Sequence, residues 1–215
     1  MNIELKNYLD ENILTKYDDN VGGHGVEHIK YVIERSFEII DEFKLDVDFN
    51  IVYTVAMFHD IGYMENPEEH HIVSANMFLE DNNIKNFFSN EDIKVIYEAI
   101  IDHRASLEYD ARSIYGKIVS SADREIDVDR LLTRSLSYAY DKYKDEDGEI
   151  DVDVYTIIDD SYNKISKKYG TGGYAKIFYE DKKYKEFINK IRYLTDDKEK
   201  FIEYELELLD SLSWQ

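Results

Sequence analysis

The chain has 215 residues, of which 43% are hydrophobic, and this length suits a single domain with a sizeable core. Acidic residues outnumber basic residues by 47 to 26, for a net charge of −21, and so few basic groups argue against binding polymeric nucleic acid. The sequence contains no cysteine, which excludes disulfides and thiolate zinc sites.

No feature of the sequence predicts membrane association. No run approaches the roughly 18 apolar residues that a membrane span requires. The first residues, MNIELKNYLDEN, form a mixed amphipathic pattern that differs from a signal peptide. We therefore expect a cytoplasmic protein with no membrane partner.

The sequence predicts an all-α protein, because only one proline and nine glycines interrupt it. Apolar residues recur at helical spacing in six successive segments. The first segment covers about residues 3–17, and after the glycine-rich run VGGHG the second opens at His28. The third covers 48–61, the fourth starts at Pro67 behind an Asn66 N-cap, and the fifth and sixth cover 91–104 and 112–125. Further helices follow residue 127, interrupted at DEDGEID and GTGG.

Five predicted helices each bring histidine or aspartate to an apolar face or its edge: His28, His59 with Asp60, His71, His103 and Asp123. A single histidine in such a place is usually a hydrogen-bonded core residue, but the combination favours a metal site. Imidazole and carboxylate together suit a first-row divalent cation or magnesium. We predict one ion held by His28, His59, Asp60 and Asp123. His71 and His103 would hold a second, with Asp60 bridging the two.

The surrounding motifs resemble the HD superfamily of metal-dependent phosphohydrolases. GHGVEHIKYV resembles that family's first-histidine helix, and AMFHDIGY resembles its His-Asp helix. HHIVSA resembles the segment that carries an extra histidine in two-metal members, and the pair Ser74-Ala75 aligns His71 with that ligand. IIDHR resembles the segment carrying the next histidine, and IVSSADR the closing aspartate helix. The chain departs from the family at two positions. It has Tyr31 where many members have arginine, and Tyr63 where the branch that cleaves cyclic dinucleotides has lysine.

The resemblance covers about residues 22–132 and implies a helical bundle of the HD-domain type. We expect a single domain over 1–215, with a core at 22–132 and additional C-terminal helices at 133–215. The implied reaction is hydrolysis of a phosphoester or phosphoanhydride in a small phosphorylated substrate, such as a nucleotide, by water that one or two ions of Mn, Fe, Mg or Zn activate. His59 and Asp60 would be catalytic, with phosphate held by the nearest basic residues, Arg104, Lys117 and Arg124.

Three alternatives are considered at this stage. A purely structural helical bundle would bind no metal at all. A non-catalytic signalling module with an HD fold would bind metal or nucleotide without turnover. HGVEH also matches the inverted zinc-protease pattern H-x-x-E-H, but Gly22, Gly23 and Gly25 disfavour a helix there, and the pattern leaves His59-Asp60 and Asp123 unexplained. We therefore expect His24 to be a loop residue near the mouth of the site. The substrate, the metal and the oligomeric state are not defined by the sequence.

Overall fold

A computed structural model describes residues 1–18, 24–145 and 147–212. Within these residues the chain forms α-helices and no β-strand, which confirms the predicted all-α class. None of the described helices is long and apolar enough to cross a membrane. The helices are α1 (Ile3–Asn12), α2 (Val26–Phe43), α3 (Phe49–Phe58), α4 (His70–Glu80), α5 (Asn82–Lys85), α6 (Asn90–Ile101), α7 (Ile114–Ala122), α8 (Val128–Tyr143), α9 (Val154–Tyr169), α10 (Lys182–Thr195) and α11 (Lys198–Leu212).

The described residues form two compact units. The first unit contains α1–α7 together with residues 176–180, and the second contains α8–α11. Every residue predicted to bind metal or phosphate lies in the first unit. The predicted division into a core at 22–132 and an extension at 133–215 stays a prediction.

Helix α3 is the central helix of the first unit. All eight of its residues from Ile51 to Phe58 are buried, and it packs against α2, α6 and α7. Burying each large aliphatic or aromatic side chain stabilises the fold by about 1.5–3 kcal/mol. The residues that directly follow this helix, His59 and Asp60, are therefore held in place by the best-packed part of the unit.

Helix α4 begins three residues later than predicted. Asn66 caps as expected, because its Oδ1 accepts hydrogen bonds from the backbone nitrogens of Glu68 and Glu69, each at 3.1 Å. The residues that it caps form a turn, however, and the regular helix starts at His70. His70 is therefore the first residue of the regular helix.

The second unit has a buried polar group at the centre of its helices. The Glu205 side chain of α11 is completely buried, and the hydroxyl of Ser161 on α9 lies 2.5 Å from its Oε1 and 2.9 Å from the hydroxyl of Ser135 on α8. The other oxygen of Glu205, Oε2, has no hydrogen-bond partner among the described residues. A buried carboxylate with a single neutral partner is costly to ionise.

Candidate metal centre

Helix termini bring the candidate ligands together around Asp60. His59 is the C-cap of α3 and Asp60 follows it, while Asp123 is the C-cap of α7 and His103 lies two residues beyond α6. His28 and His70 lie in the first turns of α2 and α4. Five helices therefore place ligand side chains near one point. The pair His59 and Asp60 comes from the end of α3, and each of the other four helices contributes one side chain.

The first ligand group consists of His28, His59, Asp60 and Asp123. The Nε2 atom of His28 lies 3.3 Å from Nε2 of His59, 3.4 Å from Oδ2 of Asp60 and 3.2 Å from Oδ1 of Asp123. The Nε2 atom of His59 lies 3.3 Å and 3.9 Å from the same two oxygens. The structure thus brings together all four residues predicted for the first ion.

The second ligand group consists of His70, His103 and the other oxygen of Asp60. Oδ1 of Asp60 lies 3.4 Å from Nε2 of His70 and 3.5 Å from Nε2 of His103, and the two nitrogens are 3.2 Å apart. Asp60 therefore presents Oδ2 to the first group and Oδ1 to the second. This arrangement matches the bridging position predicted for Asp60.

The orientation of the imidazoles fits a bound cation. The Nδ1 atoms of His59, His70 and His103 lie 2.6–2.8 Å from the carbonyl oxygens of Ala56, Pro67 and Ile100. A ring that donates Nδ1–H to a carbonyl carries a lone pair on Nε2, as metal-binding histidines do. Lone pairs facing each other across 3.2 Å repel unless the two nitrogens share a cation or a proton. Ligands bound at about 2.1 Å are ~3.0–3.4 Å apart, which agrees with most of the separations within the two groups.

The charges of the cluster favour a cation. Burial raises the pKa of the Asp60 carboxyl, but the neighbouring histidines, His59 first, outweigh burial and hold this pKa well below its ordinary value. Burial likewise lowers the pKa of His28, yet hydrogen bonds to Asp123 and Asp60 raise it to about 9. Burial raises the pKa of the Asp123 carboxyl too, but histidine neighbours hold this pKa below its ordinary value, so Asp60 and Asp123 are both ionised at neutral pH. A cation binding there displaces protons from the imidazoles.

The prediction of His71 as a ligand is corrected by the structure, which brings His70 to Asp60 instead. The two residues are adjacent, so their side chains point about 100° apart around the helix. His71 shares a face with Ala75 and Phe78 as predicted, and both of those residues are buried. His71 itself is partly buried and belongs to no ligand group among the described residues. Burial and then the charge of Arg104 lower the pKa of His71 to about 4, and its Nδ1 has no hydrogen-bond partner among the described residues.

These adjacent histidines provide a matched pair of variants. We expect His70→Ala to lower the number of Mn²⁺ ions bound per chain from two to one, because it removes one of the two imidazoles beside Oδ1 of Asp60. His71→Ala should retain both ions. Equilibrium dialysis followed by metal analysis measures the number directly. Loss of an ion from His71→Ala but not from His70→Ala would contradict the assignment.

Arg124 is not available to hold phosphate, which corrects a second prediction. Its side chain is 3% exposed, and the guanidinium donates to the carbonyl of His103 at 2.8 Å and the hydroxyl of Ser120 at 2.9 Å. It also donates to Oδ2 of Asp123 at 3.1 Å and to the carbonyl of Lys176 at 3.3 Å. Arg124 therefore orients two ligand-bearing segments.

Arg104 and Lys117 differ in their surroundings. The amine of Lys117 lies 5.8 Å from the ring centroid of Phe178, and the structure does not bring it into either ligand group. Arg104 follows His103 directly, is partly exposed, and makes no ion pair within the described parts of the chain. Its charge is close enough to lower the pKa of His71. Of the three basic residues, Arg104 is the one with a charge available beside the cluster.

His24 contributes to the cluster, although the sequence predicted only a loop position near the mouth. Its Nδ1 lies 2.7 Å from Oδ2 of Asp60, and its ring stacks on Tyr63 at a centroid distance of 3.7 Å. In an α-helix, residues four positions apart share a face. The spacing of His24 and His28 would therefore have indicated a common site only if one helix contained both. Here α2 starts at Val26, after the three glycines that argued against that helix.

The segment that carries the candidate ligands is similar to known proteins. Residues 25–126 match the family model described as the HD domain. A solved structure, described as a predicted HD superfamily hydrolase from an uncultured Thermotogales bacterium, is 21% identical to this chain. That similarity covers 76% of this chain and 86% of the other, with a TM-score of 0.45. No curated protein matches the chain with significant similarity.

Proposed function

The chain carries a domain of the HD superfamily, at residues 25–126, and from this premise we propose that it is a metal-dependent phosphohydrolase. The proposed reaction is hydrolysis of a phosphoester or phosphoanhydride bond in a small phosphorylated molecule, with nucleotides as the leading class. The observation that carries the proposal is the bridging arrangement of Asp60, whose two oxygens face separate pairs of imidazoles.

The proposed roles follow from the donor set. His28, His59, Asp60 and Asp123 bind one divalent cation, and His70 and His103 bind a second, with Asp60 shared. When bound, such cations lower the pKa of water toward neutrality and offset the charge of a phosphate group. Arg124 keeps Asp123 and the His103 segment in position through its hydrogen bonds. An anionic substrate can thus approach a protein whose net charge is −21.

Arg104 is proposed to bind the substrate phosphate. We expect Arg104→Ala to raise the KM for a phosphorylated substrate by about tenfold or more, the loss expected for one charged hydrogen bond of about 1.5–3 kcal/mol. The affinity for Mn²⁺ should not change, because Arg104 is not in either ligand group. Steady-state kinetics and calorimetry measure the two effects separately.

The charge-preserving variant Arg104→Lys is the matched control. It should retain part of the substrate affinity but not all, because an ammonium group does not form the paired hydrogen bonds of a guanidinium. An unchanged KM in Arg104→Ala would remove Arg104 from the substrate site.

The proposed function is tested by measuring release of phosphate and pyrophosphate from a panel of nucleotides and sugar phosphates in the presence of Mn²⁺. Turnover that requires the metal supports the proposal and identifies the substrate class. A protein that binds Mn²⁺ but turns over nothing on the panel would instead fit a non-catalytic module that binds metal or nucleotide. A protein that binds no divalent cation would contradict the proposal.

A further inference from the structure

Five imidazoles surround the carboxylate of Asp60, but one of them makes a different kind of contact. The Nδ1 atom of His24 lies 2.7 Å from Oδ2, within the range of N–H···O hydrogen bonds. The Nε2 atoms of the four histidines in the two ligand groups lie 3.3–3.5 Å from the carboxylate oxygens. Those longer distances suit ligands that share an ion. His24, His28 and Asp60 also lie close enough together to hold an ion. Two ligands of one ion are ~3.0–3.4 Å apart, so we assign the 2.7 Å contact of His24 as a direct hydrogen bond.

The direction of this hydrogen bond follows from the chemistry of its partners. An ionised carboxylate can only accept hydrogen bonds, so Nδ1 of His24 carries the proton. The donor atom of His24 is also Nδ1, whereas Nε2 is the atom that the four ligand histidines direct at Asp60. His24 therefore differs from the ligands in both distance and donor atom.

The ring of His24 is held in place by Tyr63. The two rings are stacked, with 3.7 Å between centroids and 19° between planes. Tyr63 is held near Asp60, because its backbone nitrogen donates a hydrogen bond to the carbonyl of Asp60 at 3.0 Å. The His24 side chain is 22% exposed and that of Asp60 is 4% exposed, so His24 is the more solvent-accessible partner of the pair.

We propose that His24 is a positioning residue that fixes the rotation of the Asp60 carboxylate. The terminal torsion of an aspartate side chain is broad, so a carboxylate without a hydrogen bond can rotate away from a bridging orientation. A donor on Oδ2 holds that oxygen toward the first ligand group, and Oδ1 then faces the second. The inference rests on the proposed function, because the role exists only if the two groups bind ions.

Two variants of His24 separate the hydrogen bond from the ring. His24→Phe keeps an aromatic ring for Tyr63 and removes the donor. His24→Asn removes the ring but places an amide N–H near the position of Nδ1. Isothermal titration with Mn²⁺ alone should show affinity about 10–100-fold lower for His24→Phe than for wild type, the loss typical of partners that orient metal ligands. His24→Asn should recover most of that affinity.

The results that would contradict the role of His24 differ from the result that would contradict the proposed function. Wild type that binds Mn²⁺ together with unchanged affinity in His24→Phe would overturn the role of His24 alone. Weak binding by His24→Asn with normal binding by His24→Phe would assign His24 a packing role and also overturn it. Absence of Mn²⁺ binding by wild type would overturn both this inference and the proposed metal site. Thermal unfolding of each metal-free variant shows whether it is folded.

Discussion

Replacement of Asp60 by asparagine should prevent binding of both ions and lower turnover of a phosphorylated substrate by more than ~100-fold. A loss of ~100-fold is the most that is typical when a residue that only hydrogen-bonds a metal ligand is removed. The amide has the shape of the carboxylate but carries no charge. It cannot replace an anion that contacts His28 and His59 through one oxygen and His70 and His103 through the other. The loss should exceed that for any other single ligand.

The appropriate control is Asp46→Asn, which makes the same chemical change at an exposed position. It should leave both Mn²⁺ binding and turnover at wild-type levels. Calorimetric titration and phosphate release should be measured on the same preparations, with circular dichroism to compare the folds. Turnover by Asp60→Asn equal to that of wild type would refute the site assignment, even if the protein proved to be a phosphohydrolase.

Glu205→Gln should stabilise the protein at neutral pH and flatten the pH dependence of its stability. Burial raises the pKa of Glu205 to about 8, with only the Ser161 hydrogen bond lowering it. In the unfolded chain a glutamic acid ionises near its ordinary pKa of about 4.3. Between these pH values the folded state binds one more proton than the unfolded state, so the free energy of unfolding falls as pH rises.

The expected decline is about 1.4 kcal/mol per pH unit across that window, and the glutamine variant should lack this component. At pH 7 the free energy of unfolding of the variant should exceed that of wild type by up to ~3 kcal/mol. Glutamine has no ionisable proton, so the cost of burying it does not rise with pH. Urea unfolding of wild type and variant between pH 5 and about 8 measures the difference in slope. Glu203→Gln, at an exposed position of the same helix, is the matched control. Equal slopes in wild type and Glu205→Gln would show that Glu205 ionises normally.

The sequence by itself determined the fold class and most of the candidate ligands. Helical periodicity is a local property, so the apolar stripes and caps predicted the α-helices around His28, His59 and Asp123 without knowledge of their partners. The family resemblance linked those positions to one site, and the structure brings them to a common carboxylate. The general chemistry of the site therefore followed from the order and spacing of residues along the chain.

Only the tertiary structure decided between neighbours and assigned the supporting residues. His70 rather than His71 reaches Asp60. Adjacent side chains point about 100° apart around a helix, so the packing of α4 against its neighbours decides which of the two faces the carboxylate.

The supporting residues act through contacts between distant segments. Arg124 is occupied by the carbonyls of His103 and Lys176, and His24 reaches Asp60 across 36 positions of sequence. Such contacts depend on how helices pack, and packing is a property of the whole core. A sequence pattern can state which side chains are suited to bind a cation, but the distances between segments decide which of them meet.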